Sequence, residues 1–290
     1  MKPFLGIDRT TDKHNETLNG EKFLVQKPSP ALTEALERSQ EAFEETIDQS
    51  KLPLGLRIGK AACGVVGAAV VLGISKAILE DDEITLSMIY RNASWLIWLG
   101  VACLVVYVIL EILSKRKEKE MLSTDESQQT LDDIDRIHDS IFAELAVPPD
   151  VKEVDILNFF YKVKSGEIKV QENSAVIAPY FNPIVRIFAD SENLYLANMD
   201  GKYAFPLSGL KAITTVKKKI RVEGWNKDDD PDSEQYKQYK LTTDEYDCFY
   251  CKSYHILELD LSGEQWGIWF PCYELPAFEQ LTGLTATENT

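Results

Sequence analysis

Cys248-Phe249-Tyr250-Cys251 has the spacing of a redox or zinc pair, and any metal or thiol chemistry in this chain would begin there. A tetrahedral zinc site takes four ligands, and only His255 and Cys272 lie close enough in sequence to complete it. A redox pair wants a helix N-terminus to depress its pKa, whereas the residues around this one alternate as a strand does. The two thiols are therefore read as structural, with no catalytic residue, metal or cofactor assigned. Cys63, Cys103 and Cys272 complete the set, and all five are expected to be free thiols in a reducing compartment.

Other segments carry weaker chemical suggestions. FLGIDRTTDKHN, Phe4 to Asn15, resembles the strand and turn with which actin-like ATPases hold phosphate and metal. Arg9 stands where that loop wants a small flexible residue and no large α/β domain follows, so nucleotide chemistry is set aside. His14, His138 and His255 are scattered with no nucleophile joining them, and His138 falls on a helical stripe where a packed imidazole belongs. GWNKDDDPDSEQYKQY lacks the spaced ligands, central glycine and closing glutamate of a calcium loop and reads as a solvated hairpin connection. Trp225, Tyr236 and Tyr239 around it are candidates for a recognition surface.

Lys217, Lys219 and Arg221 alternate along one strand face, with Lys218 on the other. Such a face suits anionic headgroups, but Asp228, Asp229, Asp230, Asp232 and Glu234 follow at once. The formal net charge is -16, and an acidic chain is repelled by phosphate polymers. Neither nucleic acid nor anionic headgroups are therefore expected as partners, and the basic strand should answer the acidic loop.

The elements that must position these residues fall into two kinds. Ala61 to Ser75 and Ala93 to Leu110 are almost free of charge, which suits lipid better than a small soluble core. Leu, Ile and Val between Trp95 and Leu110 number ten, each worth about -0.3 to -0.6 kcal/mol at a helix centre, so this segment should span a bilayer unaided. The first segment is weaker and spans if Lys60 and Lys76 snorkel to the headgroups. Its small residues, Gly64 with Ala68 and Ala69 with Gly73, are spaced for close approach of a second helix. Lys51, Arg57 and Lys60 precede the first span and Lys115, Arg116, Lys117 and Lys119 follow the second, so both termini are expected in the cytoplasm. Glu111 is expected to pair with Lys115, four residues on. The opening residues have no apolar h-region, so the first span is expected to act as an uncleaved anchor.

Amphipathic helices should flank the spans. Ser29 as N-cap and Pro30 at the first helical position open one, with Leu32, Leu36, Phe43 and Ile47 near one face. Ser123 and Glu126 have capping-box spacing before a stripe of Leu131, Ile134, His138, Ile141 and Leu145, stopped by Pro148. From Asp155 the period changes to two, in short runs rich in aromatic and β-branched residues, and ELPAFEQLTG closes the pattern as one short helix.

Within that region ENLYLANMDGKYAFPLSGLKAITTV, with Pro206, Leu207 and Leu210, resembles the strand, turn, strand and PLxxI-like step of bacterial pleckstrin-homology-like (PH-like) and GRAM-like domains. Two spans before such a domain resemble the YcxB-like arrangement of bacterial membrane proteins. The resemblance covers about half the chain, and it implies a curved barrel with a helical cap that binds or scaffolds without catalysis.

The expected fold class is α+β: a two-helix transmembrane hairpin with flanking amphipathic helices, then a C-terminal antiparallel β-barrel or sandwich of PH-like type with a short terminal helix. The expected division is a polar segment at 1–28, with a turn at Asn19-Gly20 that would let it pair as a short hairpin, and a cytoplasmic helix at 29–52. Spans at 56–79 and 93–113 follow, joined by an outer loop at 80–92, then a stalk helix at 114–147, the β domain at 150–284 and a tail at 285–290. The expected role is a multi-pass bacterial inner-membrane protein, non-enzymatic, presenting its β domain to a protein or peptide partner, with homo-oligomers allowed. The alternative is an accessory subunit of a membrane transport complex.

Overall fold

A computed structural model describes residues 1–8, 13–17, 20–80, 86–164, 167–177, 184–224, 233–244, 248–261 and 263–288. Two compact units emerge: Leu36–Arg136 is one, and Met1–Ala35 together with Ile137–Thr290 is the other. The helical unit thus interrupts the β unit in sequence. In chain order the elements begin with β1 (Lys2–Pro3), β2 (Leu5–Asp8), β3 (Lys13–Thr17), the one-turn helix α1 (Gly20–Phe23) and β4 (Leu24–Gln26). Four helices follow: α2 (Pro30–Ser50), α3 (Leu54–Glu80), α4 (Leu86–Leu122) and α5 (Asp125–Glu144). The strands resume with β5 (Glu153–Val154), β6 (Asn158–Lys164), β7 (Glu167–Val176), β8 (Val185–Ala189), β9 (Asn193–Asn198), β10 (Gly201–Pro206), β11 (Leu210–Val216) and β12 (Ile220–Glu223). Last come β13 (Thr242–Thr243), β14 (Phe249–Cys251), β15 (Tyr254–Leu261), β16 (Glu264–Pro271), α6 (Leu275–Thr282) and β17 (Ala286–Glu288).

In the helical unit, Leu54–Leu79 and Tyr90–Leu122 are long and apolar enough to cross a membrane, and only 6% of either apolar window is buried. Both helices are longer than expected, and α4 carries a non-helical kink at Ala93, where the span was expected to begin. The helices run antiparallel along a seam of small residues. A Cβ built on Gly67 would sit 2.9 Å from the Leu104 side chain, and one on Gly100 would sit 2.8 Å from Val70. Gly64 faces Tyr107, but Gly73 has open space around it, and Ala68 and Ala69 are exposed. Of the expected small pairs only Gly64 lies in the seam, because the α3 residues that meet α4 are Lys60, Cys63, Gly64, Gly67 and Val70, one face of the helix. Glu111 also departs from expectation: it sits on the seam side of α4 and forms its ion pair with Lys60 of α3.

The α4–α5 junction is capped at Thr124, where Ser123 was expected. The Ser127 amide donates to Thr124 Oγ1 at 3.2 Å, and the Ser127 hydroxyl donates to the Met121 carbonyl at 2.7 Å, so one buried serine serves both helix ends. In the β unit the last turn of α5 ends on Ala146 at φ 50, with Val147 N–H reaching back to the Phe142 carbonyl, a left-handed stop just before Pro148.

Three open sheets make up the β unit, in the orders β1-β16-β15-β11-β17, β4-β10-β9-β8-β5 and β13-β14-β12-β7-β6-β2-β3. The expected barrel is therefore not closed, because each sheet ends in two edge strands. Nor is the pairing wholly antiparallel: β1 with β16, β2 with β6, β7 with β12 and β11 with β17 run parallel. Parallel neighbours need long crossovers, and here whole blocks of chain supply them, including the helical unit between β2 and β6.

Two apolar cores flank the β15–β16 hairpin. Leu257, Leu259, Trp266, Ile268 and Phe270 join the first, with Phe205, Leu194 and Ile187. Tyr254 and Trp269, on the opposite side of the same strands, join the second with Phe159, Val222 and Phe249. Burial on both faces explains why residues 266–271 read as a continuous apolar run where a one-sided strand would alternate. The short helix α6 covers the first core, with Phe278 stacked on Phe270 at 3.7 Å between ring centres.

Residues 1–26 are not a separate polar segment. Phe4 is fully buried, its ring edge-on to Tyr203, Phe205 and Phe23 at 5.2, 4.8 and 5.8 Å, and its amide donates to the Gly267 carbonyl at 2.9 Å. β2 and β3 pair antiparallel, and residues 9–12 between them lie outside the described residues. Asn19 also lies outside them.

Candidate functional site

Cys251 ends β14 and is buried, but its sulfur partner is Cys272, at the start of the 3-10 turn Cys272–Glu274 that follows β16. Cys248 is not part of this contact; its amide donates to Asp244 Oδ1 at 3.1 Å. Alternation along β14 turns positions 249 and 251 inward, where tertiary packing brings a cysteine from a distant turn. The Cys251 thiol donates to Cys272, which together with burial drives its pKa up, while acceptance of that bond and of backbone N–H groups lowers that of Cys272. His255 is elsewhere: Nδ1 lies 3.1 Å from Thr215 Oγ1 and the ring stacks on Phe270 at 5.5 Å. Burial lowers its pKa to about 4. Among the described residues no three His, Cys, Asp or Glu side chains are grouped to hold a metal ion.

Beside the cysteine pair lies a polar cluster that sequence reasoning missed. The Tyr273 hydroxyl donates to Asp155 Oδ2 at 2.8 Å, and the Asp155 amide donates to Glu274 Oε1 at 3.2 Å. Both carboxylates are 1% exposed. Lys152 closes the cluster from the surface, its Nζ 3.5 Å from Glu274 Oε2. Tyr273 is held protonated, its pKa raised by burial and then by the neighbouring Asp155 charge. The arrangement ties the β5–β6 connection to the turn after β16, so that buried charge sets the register of two distant segments. A sequence signal existed: Asp155 interrupts the run from Val154 to Phe159, all of it buried.

The aromatic and basic candidates are also placed. Tyr236 and Tyr239 pack edge-on against Tyr273 at 5.5 and 6.3 Å, at the margin of the second core, so the two tyrosines lean inward. Trp225 and Asp228 to Asp232 lie outside the described residues. The basic run does not form one strand: β11 ends at Val216 and β12 starts at Ile220. Arg221 pairs with Glu223 and with Asp244 at 3.2 Å, Lys217 pairs with Glu288 at 2.7 Å, and Lys219 lies 4.3 Å over the Tyr250 ring. Among the described residues these cations meet partners within the β unit; residues 228–232, the acidic loop expected to answer them, lie outside the described residues. His138 is buried, and FLGID forms strand β2 beside β6, with Arg9 to Asp12 outside the described residues. The His14 side chain is outside them too.

The chain matches no family model, and no curated protein or solved structure matches it.

Proposed function

We propose that this is a membrane-anchored, non-enzymatic binding or scaffolding protein whose α3–α4 hairpin holds the β unit at the cytoplasmic face of a bacterial inner membrane, where it meets a protein or peptide partner. The observation that carries the reading is the segregation of exposed apolar side chains. Along α3 and α4 residues such as Leu72, Trp95, Trp98 and Ile112 are more than half exposed, whereas among the described residues of the β unit the exposed large apolar side chains are Met1, Val25 and Val163. Lipid accounts for the first pattern and water for the second. The excess of Lys and Arg beyond both outer helix ends supports cytoplasmic termini.

The binding role draws on two further features. β9, β10, the 3-10 turn Leu207–Gly209 and β11 follow one another over the residues that resemble a PH-like domain. Open edge strands such as β17, where Thr287 and Glu288 are exposed, offer main-chain groups to an extended peptide. The test is topology and partner capture. An alkaline carbonate wash should leave the chain in the membrane, and a C-terminal tag should resist labelling from outside. A co-purifying protein should rebind the purified full chain, and removal of both 1–28 and 150–290 should abolish it. Release by carbonate or outside labelling would overturn the anchoring, and a chain that retains no partner would overturn the scaffold.

A further inference from the structure

At the end of the hairpin where α3 begins and α4 leaves the apolar region, a notch of about 320 Å³ is lined by Lys51, Arg57, Lys60, Tyr107 and Ser114. The turn before α3 is held in place by Lys117, whose Nζ donates to the carbonyls of Gln49 at 2.7 Å and Lys51 at 3.1 Å. Lys60 is fixed by its ion pair with Glu111 and lies 5.8 Å from the Tyr107 ring centre. Lys51 pairs with Asp48. The Arg57 guanidinium makes no ion pair or side-chain hydrogen bond among the described residues; the carboxylate it acts on, Asp48, is already paired with Lys51, so of the three lining cations Arg57 is the one without a carboxylate of its own. Its chain neighbours Leu56 and Ile58 are exposed and apolar, as is Leu54.

We infer that this notch holds the headgroup of a singly charged anionic phospholipid, with the Arg57 guanidinium on the phosphodiester and the acyl chains along the apolar flank of α3. A guanidinium fork fits two phosphate oxygens, and basic pockets between membrane helices on the cytoplasmic side select phosphate headgroups. One cation without a carboxylate of its own suits one phosphodiester charge. The Tyr107 and Ser114 hydroxyls add neutral donors at the notch wall. A zwitterionic lipid brings no net negative charge to meet the Arg57 guanidinium. The expectation against headgroup binding concerns residues 217–221 and the acid-rich region around them, whereas the notch lies at the end of the hairpin.

The inference rests on the hairpin lying in a bilayer, and the experiment separates the two. The full chain is reconstituted in nanodiscs of equal phosphatidylglycerol and phosphatidylcholine, released into detergent and examined by native mass spectrometry. About one phosphatidylglycerol per chain should be retained in preference to phosphatidylcholine. Arg57→Gln should weaken that retention about fivefold, the effect of roughly one surface cation, while Lys119→Gln, an exposed cation away from the notch, should not. Oxidative cross-linking of Cys63 to Cys103, which touch across the seam, reports that each variant keeps its hairpin. Failure to enter nanodiscs would defeat the membrane reading and the site with it. Entry without phosphatidylglycerol preference, or equal loss in both variants, would defeat the site alone. Displacement by excess inorganic phosphate would reassign it to a soluble anion.

Discussion

The hairpin of α3 and α4 and the β unit solve the same problem, how to hold a chain in one arrangement, with opposite materials. The hairpin turns its large apolar side chains outward and meets itself through Gly64, Gly67 and Gly100. The β unit turns Phe4, Trp266, Phe270 and Phe278 inward around two cores. In water, burying large apolar groups is the driving force. In lipid that force is lost between helices, and close backbone approach replaces it. The difference teaches that the same residue types stabilise one region and only solubilise the other in its solvent.

That contrast can be broken first at the chain's N-terminus. Deleting residues 2–26 should abolish protease protection of the β unit, because it removes strands from all three sheets and the Phe4 and Phe23 rings. An intact protease-resistant 150–284 fragment would show that the C-terminal half stands alone. Phe270→Ala should then cost about 3–5 kcal/mol of β-unit stability, measured by urea unfolding in detergent, against under about 0.5 kcal/mol for Leu99→Ala at an exposed position of α4. Similar losses at both would erase the distinction.

The third prediction concerns pH. His255 titrates at about 4 when folded against 6.5 as its ordinary value, so the unfolded state binds its proton first as pH falls. Stability linked to it is full above about pH 6.5 and declines between there and pH 4, by about 3 kcal/mol in all. Urea midpoints across that range should show this slope, and His255→Gln should flatten it; an unchanged slope would mean that the imidazole is solvated. Gly67→Val should cost the hairpin about 1–3 kcal/mol by overpacking against Leu104, read as slower Cys63–Cys103 cross-linking. Unaltered cross-linking would place the seam elsewhere. A loss of comparable size is expected at Tyr273→Phe, about 1–3 kcal/mol from a buried Asp155 left short of a donor, seen as faster amide exchange near the 3-10 turn Cys272–Glu274.

Much of the helical unit was legible in the sequence because its signals are local. The charge-free windows, Pro30 at a helix start and Pro148 after a helix end are each read within a few residues. The details that failed were contacts between helices: Glu111 meets Lys60 in place of Lys115, and Gly73 misses the seam. In the β unit the strands were legible from alternation, but their partners were not. Cys251 drew notice only for its spacing from Cys248 and lies against Cys272; Asp155 gave only a faint sign of its tie to Tyr273; and PFLGI, four apolar or small residues around Phe4, was too short to stand out from its polar surroundings.

By itself the sequence determined which segments are helical, which are extended, and which two are apolar enough for lipid, since periodicity and composition act over one or two turns. Only the tertiary structure decided that the first 26 residues belong to the β unit, that its sheets stay open with four parallel pairings, and that Arg57 is the cation of the notch without an ion pair. Those outcomes depend mostly on pairing between residues tens to hundreds of positions apart, and no local pattern encodes which distant strand or charge will close the contact.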